Sequence, residues 1–388
     1  MPPPAAGTLD TSFGSGGVVT TSISGSARVN AVAVQPDGKI LVAGSGTVGG
    51  GAKQVLLIRY QADGVLDPGF GTGGKILSSP GPGDNEAIAV AVQPDGKLLV
   101  LAQGPAATLI RYTGAGAVDS SFGIGGVVTN PGGAADTSVN AVAIQSDGKI
   151  VLAIATETQI GAARLNADGS PDASFGTGGV ALVALTPVLC CTHGAPSIVV
   201  QPNGGILVGG SHEVPIFGGV LQYSAVVELG PAGALNPAFG LGGYDQGKFP
   251  EGIQAIVLQS DGGILVEIGG GTATGPLRNL SRLLTGGTLD PTFGTGGTAT
   301  GISGSLALEP NGKIVAAETA TLGTAPASRA AFQLSRYNTN GALDSAFGTA
   351  GTVVTSIDAN NAVGGVAVQP DGRIVVAGYS SATTDSSF

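Results

Sequence analysis

The chain has 388 residues, including 69 Gly and 23 Pro, with 11% charged residues and a formal net charge of −10. Nucleic acids and anionic membrane surfaces attract clusters of Lys and Arg, so 16 scattered basic residues argue against both as partners. No apolar stretch has the length of a transmembrane helix, and the two cysteines, Cys190 and Cys191, offer no disulfide framework.

The first complete part of the chain predicts four short strands, at residues 29–36, 39–45, 54–61 and 74–79. These segments are rich in Val, Ile, Leu and Tyr and are bounded by Gly, Pro, Asn and Asp, as strands are. A Pro-Asp-Gly turn at 36–38 closes the first hairpin, because proline fixes one backbone angle and glycine allows a positive one. No window shows a sustained helical period.

Two short motifs recur along the whole chain in steps of 50 to 64 residues. The first is an Asp-Gly or Asn-Gly turn, which begins at Asp37, Asp95, Asp147, Asn203, Asp261, Asn311 and Asp371. The second is Asp/Asn-x-x-Phe-Gly, with its aromatic residue at Phe13, Phe70, Phe122, Phe175, Phe239, Phe293 and Phe347. Seven copies of a four-strand unit predict an all-β fold: a seven-bladed β-propeller of four-stranded antiparallel blades, as one domain over residues 1–388.

The chain starts and stops at unequal points of the repeat. Residues 7–21 supply only a turn and a fourth strand, and the last repeat ends after its second strand. We therefore expect the ring to close by pairing of Gly17–Thr21 with the C-terminal blade around Ala362–Ala377, leaving that blade without its third strand. An open sheet edge favours association, so we expect a monomer unless this edge promotes oligomers, and a natural frame that continues past Phe388.

Three segments carry a resemblance: "RYQADGVLDPGFGTGGKI" (59–76), "ARLNADGSPDASFGTGGVA" (163–181) and "GVAVQPDGRIVVAG" (365–378). They resemble the delta-60 repeat family of bacterial β-propeller proteins over essentially the whole chain, although copies four to six drift and Asn236 replaces the usual Asp. The resemblance implies a propeller and an extracellular or cell-surface bacterial setting, although no signal peptide is visible. It implies no catalytic residue, cofactor or common ligand.

Loops that differ from blade to blade are the predicted ligand-binding face. The turns that carry the two motifs share one face of the blades, whereas the loops after the second and fourth strands share the other, and rigid frames place binding sites on such loops. The candidate ligand-binding residues on this variable face are acidic, aromatic or imidazole-bearing: Asp84, Glu86, Asp136, Glu157, His193, His212, Glu213, Tyr244, Asp245, Lys248 and Phe249.

The sequence does not predict a metal site. Each turn motif offers one carboxylate, whereas calcium prefers six to eight oxygens. Cys191, His193 and His212 could approach one zinc ion, but no C-x-x-C or H-E-x-x-H spacing supports this, and surface or core roles are favoured. We therefore expect no metal and no cofactor.

The composition and repeats favour a non-catalytic binding, display or scaffold module that engages a protein or glycan through the variable face. The alternative is a carboxylate-dependent carbohydrate-active hydrolase or lyase on the same face; a glycosidase would need two carboxylates about 5–10 Å apart. No G-x-S-x-G motif stands beside a His/Asp pair, and the chain has two histidines. An enzyme is the less favoured interpretation.

Overall fold

The computed structural model describes residues 6–133, 137–184, 194–216, 219–240, 242, 244–246, 252–272, 275–323, 329–358 and 360–381. Two compact units divide the chain: Met1–Ala87 with Ser303–Phe388, and Ile88–Ile302. In the described part of the chain, no helix is long and apolar enough to cross a membrane.

The first unit contains two four-stranded antiparallel sheets and a hairpin. Blade 1 is formed by β1 (Ala27–Val34), β2 (Ile40–Gly46), β3 (Gln54–Tyr60) and β4 (Lys75–Ser78). Blade 6 is formed by β21 (Ser305–Leu308), β22 (Ile314–Leu322), β23 (Arg329–Tyr337) and β24 (Thr352–Thr355). The hairpin consists of β25 (Asn360–Val368) and β26 (Ile374–Ser381).

Four further blades follow one another along the chain, each with its strands in sequence order. Blade 2 has β5 (Glu86–Val92), β6 (Leu98–Gln103), β7 (Thr108–Tyr112) and β8 (Val127–Thr129), and blade 3 has β9 (Ser138–Ile144), β10 (Ile150–Ala155), β11 (Gln159–Leu165) and β12 (Val180–Ala184). Blade 4 has β13 (Gly194–Val200), β14 (Ile206–Ile216), β15 (Gly219–Leu229) and β16 (Tyr244–Gln246). Blade 5 has β17 (Gly252–Leu258), β18 (Ile264–Thr272), β19 (Gly275–Leu283) and β20 (Thr298–Thr300).

The four strands predicted for the first repeat are confirmed, and their burial follows their position in the sheet. The two inner strands, β2 and β3, are almost entirely buried, whereas the outer strands β1 and β4 are half-buried. The connections between strands lie at the two opposite ends of the strands in each blade. We use "turn edge" for the end with the first–second and third–fourth strand turns, and "loop edge" for the end with the second–third strand loop and the start of the first strand.

Phenylalanines of the Asp/Asn-x-x-Phe-Gly motif fill the space between neighbouring blades of the second unit. Phe122 of blade 2 is fully buried in one core with Leu99, Leu101, Ile150 and Leu152 of blades 2 and 3. Gly169 of blade 3 lies directly over the ring: it has a φ of +88°, and a Cβ there would lie 2.8 Å from Phe122 Cε2. Phe122 is thus wedged between blades 2 and 3, and this packing requires glycine opposite the ring.

The prediction of seven four-stranded blades is wrong for the described residues, which form six such blades and the two-stranded hairpin. The expected fourth strand at Gly17–Thr21 does not form and has no ladder to β25 or β26; the N-terminal segment makes only an isolated bridge between Ser15 and Val18. The physical reason lies in strand order. A fourth strand pairs with a third strand, as β4 pairs with β3, and in the part of the chain that the structure describes the last repeat has only its first two strands.

The N-terminal segment nevertheless lies against its neighbours in the first unit. The Gly14 N–H donates to the Asp63 carbonyl at 2.8 Å, and the Gly348 N–H donates to the Ala6 carbonyl at 3.0 Å. Arg373 of the hairpin forms an ion pair with Asp10 at 3.0 Å. These contacts hold the segment by its turns instead of by strand pairing.

Candidate functional site

The structure describes three of the predicted ligand-binding residues with their side chains: Asp84, Glu86 and Glu157. Four others, namely Asp136, His193, Lys248 and Phe249, lie outside the described residues. A further four have their backbone on described strands, while their side chains lie outside the described part of the structure: His212, Glu213, Tyr244 and Asp245. Cys190 and Cys191, which entered the zinc hypothesis, are also outside the described residues.

Asp84 and Glu86 are brought together at the loop edge of blade 1 by Lys53. The Lys53 backbone N–H donates to Asp84 Oδ1 at 2.8 Å, and Lys53 Nζ lies 3.4 Å from Glu86 Oε2. Asn30, the bulged residue of β1, donates from Nδ2 to Glu86 Oε1 at 2.7 Å and to the Ala87 carbonyl at 2.9 Å. Asp84 and Lys53 are exposed, whereas Glu86 is half-buried.

The carboxylate of Glu86 is stabilised in its charged form. Burial alone would raise its pKa, but the hydrogen bond from Asn30 and the charge of Lys53 outweigh burial and hold the pKa of Glu86 below its ordinary value. Arg28, at the start of β1, adds a further favourable charge. Glu86 is therefore an ionised acceptor near neutral pH.

Arg28 also extends this cluster toward the hairpin. Its guanidinium carbon lies 5.9 Å from the centre of the Tyr379 ring, within the range of a cation–π contact. Arg28 is exposed and Tyr379 is half-buried, so an amphipathic ring and a guanidinium lie on the same part of the loop edge. We name Arg28, Lys53, Asp84, Glu86 and Tyr379 the loop-edge cluster.

Buried asparagines fix the loops on either side of this cluster. Asn85 is 2% exposed and donates from Nδ2 to the carbonyls of Gly81 and Gly83 at 3.0 and 2.9 Å. Asn361, the second residue of β25, holds the corresponding position in the last repeat; it is also 2% exposed and donates to the carbonyls of Ala330 and Asp358. Satisfied amides of this kind hold a loop in one conformation, because leaving them unpaired in the interior is costly.

Glu157 is not part of this cluster. It is exposed in the short connection between β10 and β11 of blade 3. No group of three or more His, Cys, Asp or Glu side chains in the described ranges could hold a metal ion.

A cluster at the turn edge was missed by the sequence analysis. In blade 3, Arg164 Nε donates to Asp172 Oδ2 at 2.7 Å, Lys149 Nζ lies 3.0 Å from the same oxygen, and the guanidinium lies 4.5 Å from the Phe175 ring centre. The same four residue types pack alike in three further blades: Lys39, Arg59, Asp67 and Phe70; Lys97, Arg111, Asp119 and Phe122; Lys313, Arg336, Asp344 and Phe347. The Arg stands eight residues before the Asp in every copy, and this spacing could have revealed the pair.

The turn-edge carboxylates are strongly stabilised in the ionised form. A hydrogen bond from Ser174, followed by the contacts with Lys149 and Arg164, holds the pKa of Asp172 far below its ordinary value despite burial. Ser121 together with Lys97 and Arg111 does the same for the pKa of Asp119. Buried ion pairs with these supporting hydrogen bonds hold the turn together and offer no free proton donor or acceptor.

Blade 4 departs from this composition. Glu228 stands where the other blades have Arg, Asn236 replaces Asp and Gly205 replaces Lys. Glu228 is 6% exposed, and burial raises the pKa of its carboxyl, partly offset by a hydrogen bond with Asn236. Glu228 has a raised pKa, whereas every other described carboxyl with a shifted pKa has a lowered one.

The comparisons with known sequences support a β-propeller repeat protein. A family model described as "Domain of unknown function (DUF5122) beta-propeller" matches residues 35–70, 145–175, 259–293, 309–347 and 369–388, less than half of the chain. A second model, "WD domain, G-beta repeat", matches residues 17–48. No curated protein sequence matches the chain at a significant level.

Several solved structures are similar to the chain at low sequence identity. A protein of unknown function from Bacteroides caccae has 14% identity and a TM-score of 0.42, covering 82% of this chain and 99% of that one. A polysaccharide lyase, an ulvan lyase of family PL25, has 10% identity and a TM-score of 0.49, covering 89% and 88%. A protein from Lactobacillus plantarum has 13% identity and a TM-score of 0.45, covering 84% and 87%.

Proposed function

We propose that this chain is a non-catalytic binding module that engages a protein or a glycan through the loop edge of its blades. The observation that carries the proposal is the state of the loop-edge cluster: Glu86 is bonded to Asn30 at 2.7 Å, and Asp84 to the Lys53 N–H at 2.8 Å. A catalytic carboxylic acid needs a raised pKa near neutrality, and Glu86 has the opposite shift.

The same cluster has the chemistry of a recognition surface. Tyr379 offers a flat apolar ring, which covers area at low entropic cost, and Arg28 beside it offers guanidinium donors. Glu86 and Asp84 accept hydrogen bonds from hydroxyl or amide groups of a ligand. Because Asn85 and Asn361 hold the neighbouring loops, little further ordering is needed on binding.

We also propose a repeat family and a cellular location for the chain. The delta-60 repeat name is supported by the matching segments at 59–76, 163–181 and 365–378. An extracellular or cell-surface bacterial setting is supported by that resemblance and by the low content of cysteine and charged residues.

The test is direct binding followed by an assay for turnover. The purified full chain is passed over immobilised neutral, uronic-acid-containing and sulfated polysaccharides and over surface-protein fractions, and the same incubations are checked for new reducing ends and unsaturated products. We expect a ligand to be retained unchanged. Tyr379→Ala should weaken retention by about tenfold or more, since interface aromatic residues commonly contribute this much.

The matched control is Asp147→Asn, which changes an exposed carboxylate at the turn edge of blade 3 and should leave retention unaltered. Release of products that Glu86→Gln or Asp84→Asn abolishes would replace the binding module with the carbohydrate-active enzyme. Equal loss of retention in Tyr379→Ala and Asp147→Asn would remove the loop edge as the binding surface.

A further inference from the structure

Blade 4 presents a buried acid at a place built for a guanidinium. Glu228 pairs with Leu207 across β14 and β15, in the register that pairs Arg164 with Val151 in blade 3 and Arg282 with Leu265 in blade 5. The backbone around it is also the same, because the Asn236 N–H donates to the Glu228 carbonyl at 2.9 Å as Asp172 does to Arg164 at 3.0 Å. Glu228 thus occupies the backbone position of the arginine but carries a carboxyl group in place of a guanidinium.

The groups that accept hydrogen bonds from the arginine remain present in blade 4. In blade 5, Arg282 Nε donates to Gln259 Oε1 at 2.6 Å, and in blade 3, Arg164 Nη1 lies 3.5 Å from Gln145 Oε1. Gln201 holds this position in blade 4, and its Oε1 is buried and accepts no hydrogen bond from any described residue. The equivalent oxygens of Gln35 and Gln93 share this property, but there the residue on the third strand is an arginine.

The space left by the missing lysine is lined by oxygen as well. Gly205 stands at the lysine position, where a Cβ would collide with Gln201 Oε1 and lie 3.0 Å from Asn203 Oδ1. Asn203 Oδ1 already accepts the Gly205 N–H at 2.8 Å. Blade 4 therefore has no cationic side chain at the positions that Lys149 and Arg164 occupy in blade 3, whereas the buried oxygen of Gln201 lies at the position of the arginine's acceptor.

Charged groups on the adjoining elements are engaged elsewhere. Arg164 of blade 3 donates to Asp172 and to the Pro231 carbonyl in the turn that follows Glu228. In blade 5, Arg282 is paired with Asp261 and Asp290, and Glu267 on β18 has its own partner. The remaining titratable residues on the described strands of blade 4 are His212, Glu213, Tyr223, Tyr244 and Asp245, whose side chains lie outside the described part of the structure.

We propose that Glu228 is a neutral carboxylic acid in the folded protein and donates its hydrogen to the amide oxygen of Gln201, so that its ionisation loosens blade 4. One proton gives each carboxyl oxygen of Glu228 a hydrogen-bond partner, since the O–H donates to Gln201 and the C=O accepts from Asn236. A metal ion fits less well, because one carboxylate and a few amide oxygens fall short of the six to eight oxygens of a calcium site.

The pH dependence follows from the sign of the shift. Burial raises the pKa of Glu228 in the folded state above its unfolded value. Its contribution to stability is then fully present below the ordinary glutamic acid range and is lost as pH rises through the folded-state pKa, when the proton leaves to water. The loss falls on the core shared by blades 4 and 5, which includes Leu207, Phe239 and Ile256.

The experiment compares thermal melting of the full chain with Glu228→Gln at about pH 4 and about pH 8.5. The amide keeps the hydrogen-bond donor and cannot ionise, so the two proteins should melt alike at the lower pH. At the higher pH the variant should melt higher by about 2 °C or more. A variant that melts below the wild type at both pH values by the same amount would overturn the proposal.

Two controls keep the outcome interpretable. Glu309→Gln removes a carboxylate that is paired with Arg336 at 3.2 Å, so it should lower the melting temperature at the higher pH. The double variant Glu228→Arg/Asn236→Asp gives blade 4 the arginine and aspartate of blade 5, which also has a glycine, Gly263, at the lysine position. This variant should not be destabilised at alkaline pH. If calcium raises the melting temperature of the wild type but not of Glu228→Gln, a cation occupies the site and the proton assignment is wrong.

A measurement on the wild type alone covers the case in which a variant fails to fold. The infrared carbonyl stretch of a protonated carboxyl should persist above the ordinary glutamic acid range and vanish at a pH that coincides with the fall in melting temperature. Absence of a protonated carboxyl band at about pH 6 would contradict a neutral Glu228.

Discussion

Blades 3 and 4 have the same backbone hydrogen bonds at the turn edge but different side chains, an ion-pair cluster in blade 3 and a buried acid in blade 4. In blade 3, Arg164, Asp172 and Lys149 form a compact ion-pair cluster over Phe175. In blade 4 the corresponding residues are Glu228, Asn236 and Gly205, yet Phe239 is as fully buried as Phe175. The blade conformation therefore does not depend on the ion pair, and the turn hydrogen bonds and the buried ring suffice for it.

The difference lies in what joins one blade to the next. Arg164 reaches beyond its own blade and donates from Nη1 to the Pro231 carbonyl of blade 4 at 2.5 Å, and Arg111 makes the same contact with the Ala167 carbonyl of blade 3. Glu228 has no guanidinium N–H to donate to the next blade. The ion-pair clusters thus act as links between consecutive blades, and blade 4 lacks this link toward blade 5.

The largest expected effect comes from removing the negative charge in blade 3. Asp172→Asn leaves Arg164 and Lys149 together without a counter-ion in a nearly buried site, where both side chains of the Arg–Asp pair are less than a tenth exposed. We expect the free energy of unfolding to fall by about 3–5 kcal/mol, as for a broken buried pair. Urea denaturation of the full chain measures the change.

The matched variant in blade 4 is Asn236→Ala, which breaks only neutral or singly charged hydrogen bonds and should cost about 1–2 kcal/mol. If Asp172→Asn and Asn236→Ala lower the free energy of unfolding equally, the ion pair of blade 3 adds no stability beyond that of the turn itself.

A smaller effect is expected from the turn glycines, which the two blades share. Gly176 has a φ of +53°, and a Cβ there would collide with the Val180 carbonyl oxygen, whereas Gly178 has a φ of +62° and nothing within 4 Å. Gly176→Val should therefore cost about 1–3 kcal/mol. The same pairs recur as Gly71 with Gly73 and Gly123 with Gly125.

Gly178→Val is the matched control, because it carries only the strain of a positive φ, about 1 kcal/mol. Differential scanning calorimetry compares the two. If both variants have the same melting temperature, the close approach of the Val180 carbonyl is not the reason that position 176 requires glycine.

The repeat pattern made most of the fold predictable, because strand composition and turn residues recur at fixed spacing. The blade 1 strands and the buried Phe122 follow from that pattern. Among the described residues the seventh repeat forms only a two-stranded hairpin, and Gly17–Thr21 has no described third strand to pair with.

The candidate sites were harder to predict for a related reason. Asp84 and Glu86 were expected at the loop edge, but Asn30, Lys53, Arg28 and Tyr379 come from distant parts of the sequence, and only folding brings them together. The exception in blade 4 was visible as Glu228 and Asn236 at the positions of Arg and Asp. Its meaning required the buried, unpartnered Gln201 oxygen, which no sequence motif reports.

The smallest expected effect separates the two glutamates that carry opposite pKa shifts. Glu86 is half-buried and its folded-state pKa lies below the unfolded value, because Asn30 and Lys53 outweigh burial. Its contribution to stability is present above the unfolded pKa and is lost as pH falls through the folded one, the reverse of Glu228. Glu86→Gln should therefore cost less than about 1 kcal/mol near neutral pH and nothing in acid, where the wild-type carboxyl is protonated as well.

Melting curves of the wild type, Glu86→Gln and Glu228→Gln across the acid and neutral range provide the measurement. The difference in melting temperature between variant and wild type should have opposite slopes against pH. For Glu86→Gln this difference becomes more negative as pH rises, and for Glu228→Gln it becomes more positive. Parallel curves would mean that the two carboxyls experience similar environments, contrary to the Asn30 and Lys53 contacts of Glu86 and to the burial of Glu228.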